Sequence, residues 1–124
     1  TMREQSLSGL RILVAEDEFM IATDLARELA DAGATVLGPT ASLEKTLQLI
    51  KTEVSIDGSV LDINLQGDMI FPAADLLRER GVPFLFATGY DGSVIPRRFE
   101  GIGRFDKPAG NGVIASALRQ AIAR

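Results

Sequence analysis

The 124-residue chain contains no cysteine and no histidine. Without thiols there is no disulfide framework, no thiolate nucleophile and no Cys-ligated zinc or iron–sulfur cluster. Without imidazole there is no Ser–His–Asp or Cys–His catalysis. No apolar run approaches the roughly 20 residues of a membrane span. The polar opening Thr1–Ser8 lacks the apolar stretch of a signal peptide. Basic residues are the minority, 13 Lys and Arg against 17 Asp and Glu, so the footprint of nucleic-acid binding is missing. The expectation is a cytoplasmic protein with no membrane partner and no direct nucleic-acid partner. Chemistry is left to carboxylates, hydroxyls, lysine and arginine, and a bound metal should be a hard, oxygen-loving one such as magnesium.

With 46% hydrophobic and 24% charged residues, the composition is that of one globular domain. Five short apolar runs alternate with helical patterns. Arg11–Ala15 is followed by a stripe of Ile21, Leu25 and Leu29 that stops at Gly33. Thr35–Leu37 ends at Gly38-Pro39, and Ser42 is placed to cap a helix with Leu43, Leu47 and Ile50 on one face. Ser59–Leu61 leads to Asp62 and a turn-rich stretch, Asn64–Asp68, before a helix carrying Ala73, Ala74, Leu76 and Leu77. Val82–Ala87 is the fourth run. Pro96 limits segment 91–101 to a turn or two of helix. A short fifth strand is expected at Arg104–Asp106, then a helix with Val113, Ile114, Ala117, Leu118, Ala121 and Ile122. Runs with so little polar alternation suit parallel strands covered on both faces. The expected fold is an α/β, flavodoxin-like (βα)5 three-layer sandwich, with a five-stranded parallel sheet in order 2-1-3-4-5. Residues 1–9 read as an N-terminal extension and 10–124 as the domain.

The ionisable residues interrupt this pattern at particular places. Glu16 and Asp17 end the first run, Asp62 the third, Thr88 the fourth and Lys107 the fifth. Ligands of open parallel sheets bind outside the carboxyl ends of the strands, where strand order reverses. Any one of these five alone is an ordinary cap or turn residue; together they are a chemically complete set. Clustered carboxylates repel unless a divalent cation neutralises them. A carboxylate is a nucleophile toward phosphoryl groups, and a lysine, a metal and a hydroxyl can offset the phosphoryl charge.

The chain resembles the receiver domains of two-component response regulators, from Leu10 to Ala123. The matching segments are Val14-Ala15-Glu16-Asp17-Glu18, Leu61-Asp62-Ile63-Asn64, Phe86-Ala87-Thr88-Gly89-Tyr90 and Asp106-Lys107-Pro108. Pro83–Tyr90 looks like the narrower FATGUY-type group, many of which are stand-alone receivers. The resemblance implies Asp62 as phosphoacceptor, Mg2+ held by Glu16, Asp17, Asp62 and the Asn64 backbone carbonyl, and Thr88 and Lys107 as phosphate contacts. It also implies a cis bond between Lys107 and Pro108. The implied donor is a histidine kinase or histidine phosphotransfer protein, and the absence of histidine fits a receiving role. The implied output is a downstream protein on the face of the fourth connection, fifth strand and last helix, with weak self-association as a further partner. With no DNA-binding segment after Arg124, the expected output is protein docking, unless an effector domain has been cut away. The chain is expected to be an acceptor that assists its own phosphorylation and dephosphorylation rather than an enzyme.

Three positions depart from the family pattern. Arg104, next to Phe105, stands where receivers commonly carry a switch aromatic; Ala109 follows Lys107-Pro108; and Leu65-Gln66-Gly67-Asp68 lacks the usual Met-Pro. Tyr90, beside Gly89, is either a packed loop aromatic or a flank of the pocket that takes over part of the switch. Arg104 either meets an acidic partner or is solvated. A haloacid-dehalogenase-type phosphatase uses the same residue types, but its nucleophile comes first in the chain and its acidic pair last. Two alternatives remain at this level: the C-terminal receiver of a hybrid histidine kinase, and a docking module independent of phosphorylation.

Overall fold

The computed structural model describes residues 6–89, 94–107 and 112–123. Strands β1 (Arg11–Ala15), β2 (Thr35–Thr40), β3 (Gly58–Asp62), β4 (Phe84–Thr88) and β5 (Arg104–Asp106) form one parallel sheet in spatial order 2-1-3-4-5. Helices α1 (Phe19–Asp31), α2 (Leu43–Thr52), α3 (Phe71–Glu79) and α4 (Val113–Ala123) connect or follow them. This is the expected α/β sandwich.

Successive residues of each central strand point to opposite faces, and both faces are apolar. Leu13, Ala15, Leu61 and Phe86 enter a core with Ile50 of α2 and Leu77 of α3. Ile12, Val14, Val60, Leu85 and Ala87 enter another with Leu25 and Leu29 of α1 and Leu118 of α4. Strands β3 and β4 are buried throughout, so their apolar runs lack alternation. Leu7 also joins the second core, fully buried, and its N–H donates to the Ala32 carbonyl at 2.8 Å. The packed body therefore reaches further toward the N-terminus than Leu10.

Local signals account for some helix ends. The Ser42 hydroxyl accepts the Lys45 N–H at 3.2 Å, as a cap should. Gly33 has φ +99°, and a Cβ there would lie 2.9 Å from Ser8 Cα. One element differs from expectation. β2 does not stop at Gly38-Pro39 but runs through that cis bond to Thr40. The pairing with β1 shifts register there, between Leu13 and Ala15. Gly38 makes the passage possible: its φ is +97°, and a Cβ would meet Val14 O and Thr40 N at 2.8 Å. The reward is positional, because Thr40 O then accepts the Glu16 N–H at 2.9 Å.

The fourth connection is as short of helix as Pro96 predicts: among the described residues it holds a 3-10 turn, Arg97–Phe99. Phe99 is 1% exposed and lies 5.6 to 6.1 Å from the rings of Phe71, Phe84 and Phe86. Arg78 and Arg98 flank its ring at 5.0 and 4.7 Å. Burying such a ring is worth about 2–3 kcal/mol, so one anchor can hold a segment too short for a stable helix.

Candidate functional site

The carboxyl ends of β1 and β3 are adjacent in the sheet, with Val14 opposite Val60 and Ala15 opposite Leu61. Glu16 and Asp17 therefore emerge beside Asp62. One carboxylate oxygen from each of Glu16, Asp17 and Asp62 falls within 4.8 Å of the others. Glu16 and Asp62 are buried, at 3% and 4% exposure. Two strands away, β5 delivers Lys107 to the same edge, its N–H bonded to the Thr88 carbonyl at 3.1 Å. The ammonium reaches Asp62 Oδ2 at 3.0 Å and the two Glu16 oxygens at 3.0 and 3.2 Å. Thr88 ends β4 and is fully buried.

The charges do not balance inside this set: the three carboxylates face one ammonium. Burial pushes the Asp62 carboxyl up to about 7; Lys107 opposes the rise and the Glu16 charge adds to it. Burial acts to lower the Lys107 pKa, but its bonds to Glu16 and Asp62 outweigh that and raise it above the usual 10.5. The site thus has oxygen donors for a cation and a deficit of positive charge. Those properties fit a divalent hard cation such as Mg2+, for which Glu16, Asp17 and Asp62 would be the protein ligands.

The backbone after Asp62 closes one side of the pocket. Asn64–Leu65 pairs antiparallel with Asp68–Met69 around Gln66-Gly67. Asp62 Oδ1 accepts the Asn64 N–H at 3.3 Å, and Asp17 Oδ2 accepts the Gln66 N–H at 2.8 Å. The stretch was expected as a turn, but its bond to Asp17 has no local sequence signal beyond the glycine. Asn64, whose carbonyl the resemblance implies as a ligand, begins this hairpin two residues after Asp62.

Of the remaining candidates, Gly89 follows Thr88 and is exposed, with nothing within 4 Å of a Cβ built there. Arg104 is exposed on β5, while Phe105 is half-buried against the α1–α4 core. Tyr90 and Pro108, with the expected cis bond after Lys107, lie outside the described residues. A contact with no forecast is Glu28 on α1, whose Oε2 accepts the Ala115 N–H at 2.9 Å and so caps α4 from a neighbouring helix.

A parallel sheet with this strand order, flanked by these helices, is a fold that solved structures share. SdrG from Sphingomonas melonis Fr1 is similar at 30% identity over 96% of this chain and 98% of its own, with a TM-score of 0.80. The receiver domain from the hybrid histidine kinase CckA is similar at 25% identity, over 90% and 98% of the two chains, TM-score 0.73. A response regulator from Burkholderia pseudomallei, with a phosphorylated aspartic acid, calcium ion and citrate, is 24% identical over 92% of this chain and 69% of its own, TM-score 0.75. No family model matches the chain, and no curated protein sequence does. The chain belongs to the response regulator receiver domains.

Proposed function

We propose that the chain is a phosphoacceptor in which Asp62 takes a phosphoryl group from the phosphohistidine of a histidine kinase or phosphotransfer protein, with Mg2+ bound. The observation that carries this reading is the buried Asp62 carboxylate, bonded to Lys107 at 3.0 Å and clustered with Glu16 and Asp17. An Asp62 oxygen attacks phosphorus, the donor's P–N bond breaks, and the imidazole nitrogen keeps the electron pair and takes up a proton. Bound Mg2+ supplies charge neutralisation for the phosphoryl oxygens. Lys107 shifts from the Asp62 carboxylate to the phosphoryl oxygen, retaining its bond to Glu16, and the Thr88 hydroxyl is the further contact. The chain is an acceptor that assists its own phosphorylation and loss of phosphate, and its place is the cytoplasm.

The donor's docking surface is read from exposed apolar residues near the acceptor. Phe19 and Met20 are 79% and 70% exposed at the start of α1, one residue past the acidic pair, and Val113 is 53% exposed at the start of α4. Large side chains left in water beside a reactive group support a protein partner there. Downstream docking is assigned to the face of the 3-10 turn, β5 and α4, where Arg104 is exposed. The same chemistry serves a free-standing receiver or the receiver of a hybrid kinase.

The test is incubation with MgCl2 and acetyl phosphate, followed by intact mass. The expected result is a gain of one phosphoryl group in the wild type and none in Asp62→Asn. A folded wild type that gains nothing, or an Asp62→Asn variant that gains as much, overturns the reading.

A further inference from the structure

Gln66 adopts a backbone conformation that its side chain does not favour. Its φ is +54°, the one non-glycine residue with positive φ among the described residues. With Gly67 at φ +94°, it forms the centre of the two-residue connection between Leu65 and Asp68. Both central angles are positive, the requirement of a type I′ hairpin, where Asn, Asp or Gly is the usual first residue. Left-handed backbone at an ordinary L-residue costs about 1–2 kcal/mol and persists only where surroundings hold it.

The surroundings here are specific. The Gln66 backbone N–H donates to Asp17 Oδ2 at 2.8 Å, and its side-chain amide donates to the Ala41 carbonyl at 2.8 Å. Asn64 Oδ1 accepts the Gly67 N–H at 2.7 Å, closing the turn from inside. Leu65 and Ile70, on either side, are fully buried and fix the hairpin to the core. Residue 66 thus ties three strand ends together: Asp17 after β1, Ala41 after β2 and the hairpin after β3.

We infer that Gln66 is a positioning residue for Asp17: its side chain, anchored on Ala41, aims the residue's own N–H at one Asp17 oxygen and so orients that carboxylate for the cation. An asparagine or glycine would suit the turn better, but neither reaches Ala41. The bond is exposed, so its value lies in orientation rather than in stability. The inference rests on the Mg2+ reading above.

Calorimetric titration with MgCl2 tests it on wild type and on Gln66→Met, which keeps the length and removes the donor. Loss of such an outer partner costs roughly tenfold in metal affinity, and that is the expected result, against a difference within about twofold that overturns the inference. In the metal-free protein, the residue-66 amide should exchange its hydrogen faster in Gln66→Met and in Asp17→Asn than in wild type. Unchanged exchange in both also overturns it, while a purely structural role would speed exchange across β3 and α3 instead. If Gln66→Met does not fold, Gln66→Asn, which tolerates the turn but falls short of Ala41, takes its place with the same outcomes. A wild type that binds no Mg2+ overturns the metal reading and this inference with it; a wild type that binds it as tightly as Gln66→Met does overturns only the inference.

Discussion

The Lys107 ammonium lies 3.0 Å from Asp62 Oδ2 and, at the same time, 3.0 Å from Glu16 Oε1, bridging two carboxylates that are both more than nine-tenths buried. One cation shared by two buried anions leaves each incompletely neutralised, and that shortage has measurable consequences.

The Asp62 carboxyl has its pKa raised from 3.8 to about 7, so the folded state holds this proton more tightly than the unfolded state. The contribution to stability is complete below pH 3.8 and is lost as pH rises through about 7. Metal-free protein should therefore lose stability between pH 5 and 7.5 by an amount on the order of 1–3 kcal/mol that Asp62→Asn does not lose. Urea melts in EDTA at the two pH values measure the difference, and saturating MgCl2 should reduce it by favouring the ionised carboxylate.

Replacing the bridge by an apolar side chain strands both acids. Lys107→Met is expected to destabilise metal-free protein by about 3 kcal/mol at pH 7.5, as for a buried ion pair that loses one partner. Magnesium should restore part of the loss, and melting temperatures with and without the ion show whether it does.

Phe99 and the Arg98–Asp75 ion pair hold the same segment with unequal strength. Phe99→Ala removes a ring that is 1% exposed and should cost about 3–4 kcal/mol. Asp75→Ala breaks a pair whose side chains are 51% and 44% exposed, and should cost about 0.5 kcal/mol or less. Denaturant midpoints of the two variants decide the ranking.

Gly38→Ala should cost more than a surface alanine normally does, about 2 kcal/mol, because φ is +97° and the new Cβ would meet Val14 O and Thr40 N at 2.8 Å. Since Thr40 O holds the Glu16 N–H, the amide resonance of Glu16 should shift as well.

Much of this was legible beforehand. Arg11–Ala15 and Arg104–Asp106 read as strands because their apolar or bounded runs are local facts, and the structure gives the same limits. Ser42 read as a cap because the capping bond spans only three residues. Glu16, Asp17 and Asp62 converge as expected, since parallel order alone brings the β1 and β3 ends together. Other features depend on contacts between distant segments. Phe99 sits in a polar stretch, and nothing nearby marks it as a core anchor for Phe71, Phe84 and Phe86. Strand β2 was cut short at Gly38-Pro39 because proline usually ends pairing, whereas the register shift against β1 accommodates it. Gln66 looked like any turn residue, because its partners Asp17 and Ala41 lie 49 and 25 positions away.

The central placement of β1 and β3, with β5 at the edge, also dictates when the pocket can exist during folding. Glu16 and Lys107 are 91 positions apart, and Asp62 and Lys107 are 45 apart. Such long-range closure is entropically slow and comes after local helices and turns. Until β5 docks, the acidic cluster lacks the ammonium that bridges Glu16 and Asp62. Completion of the last strand is thus the event that makes the acceptor chemically whole.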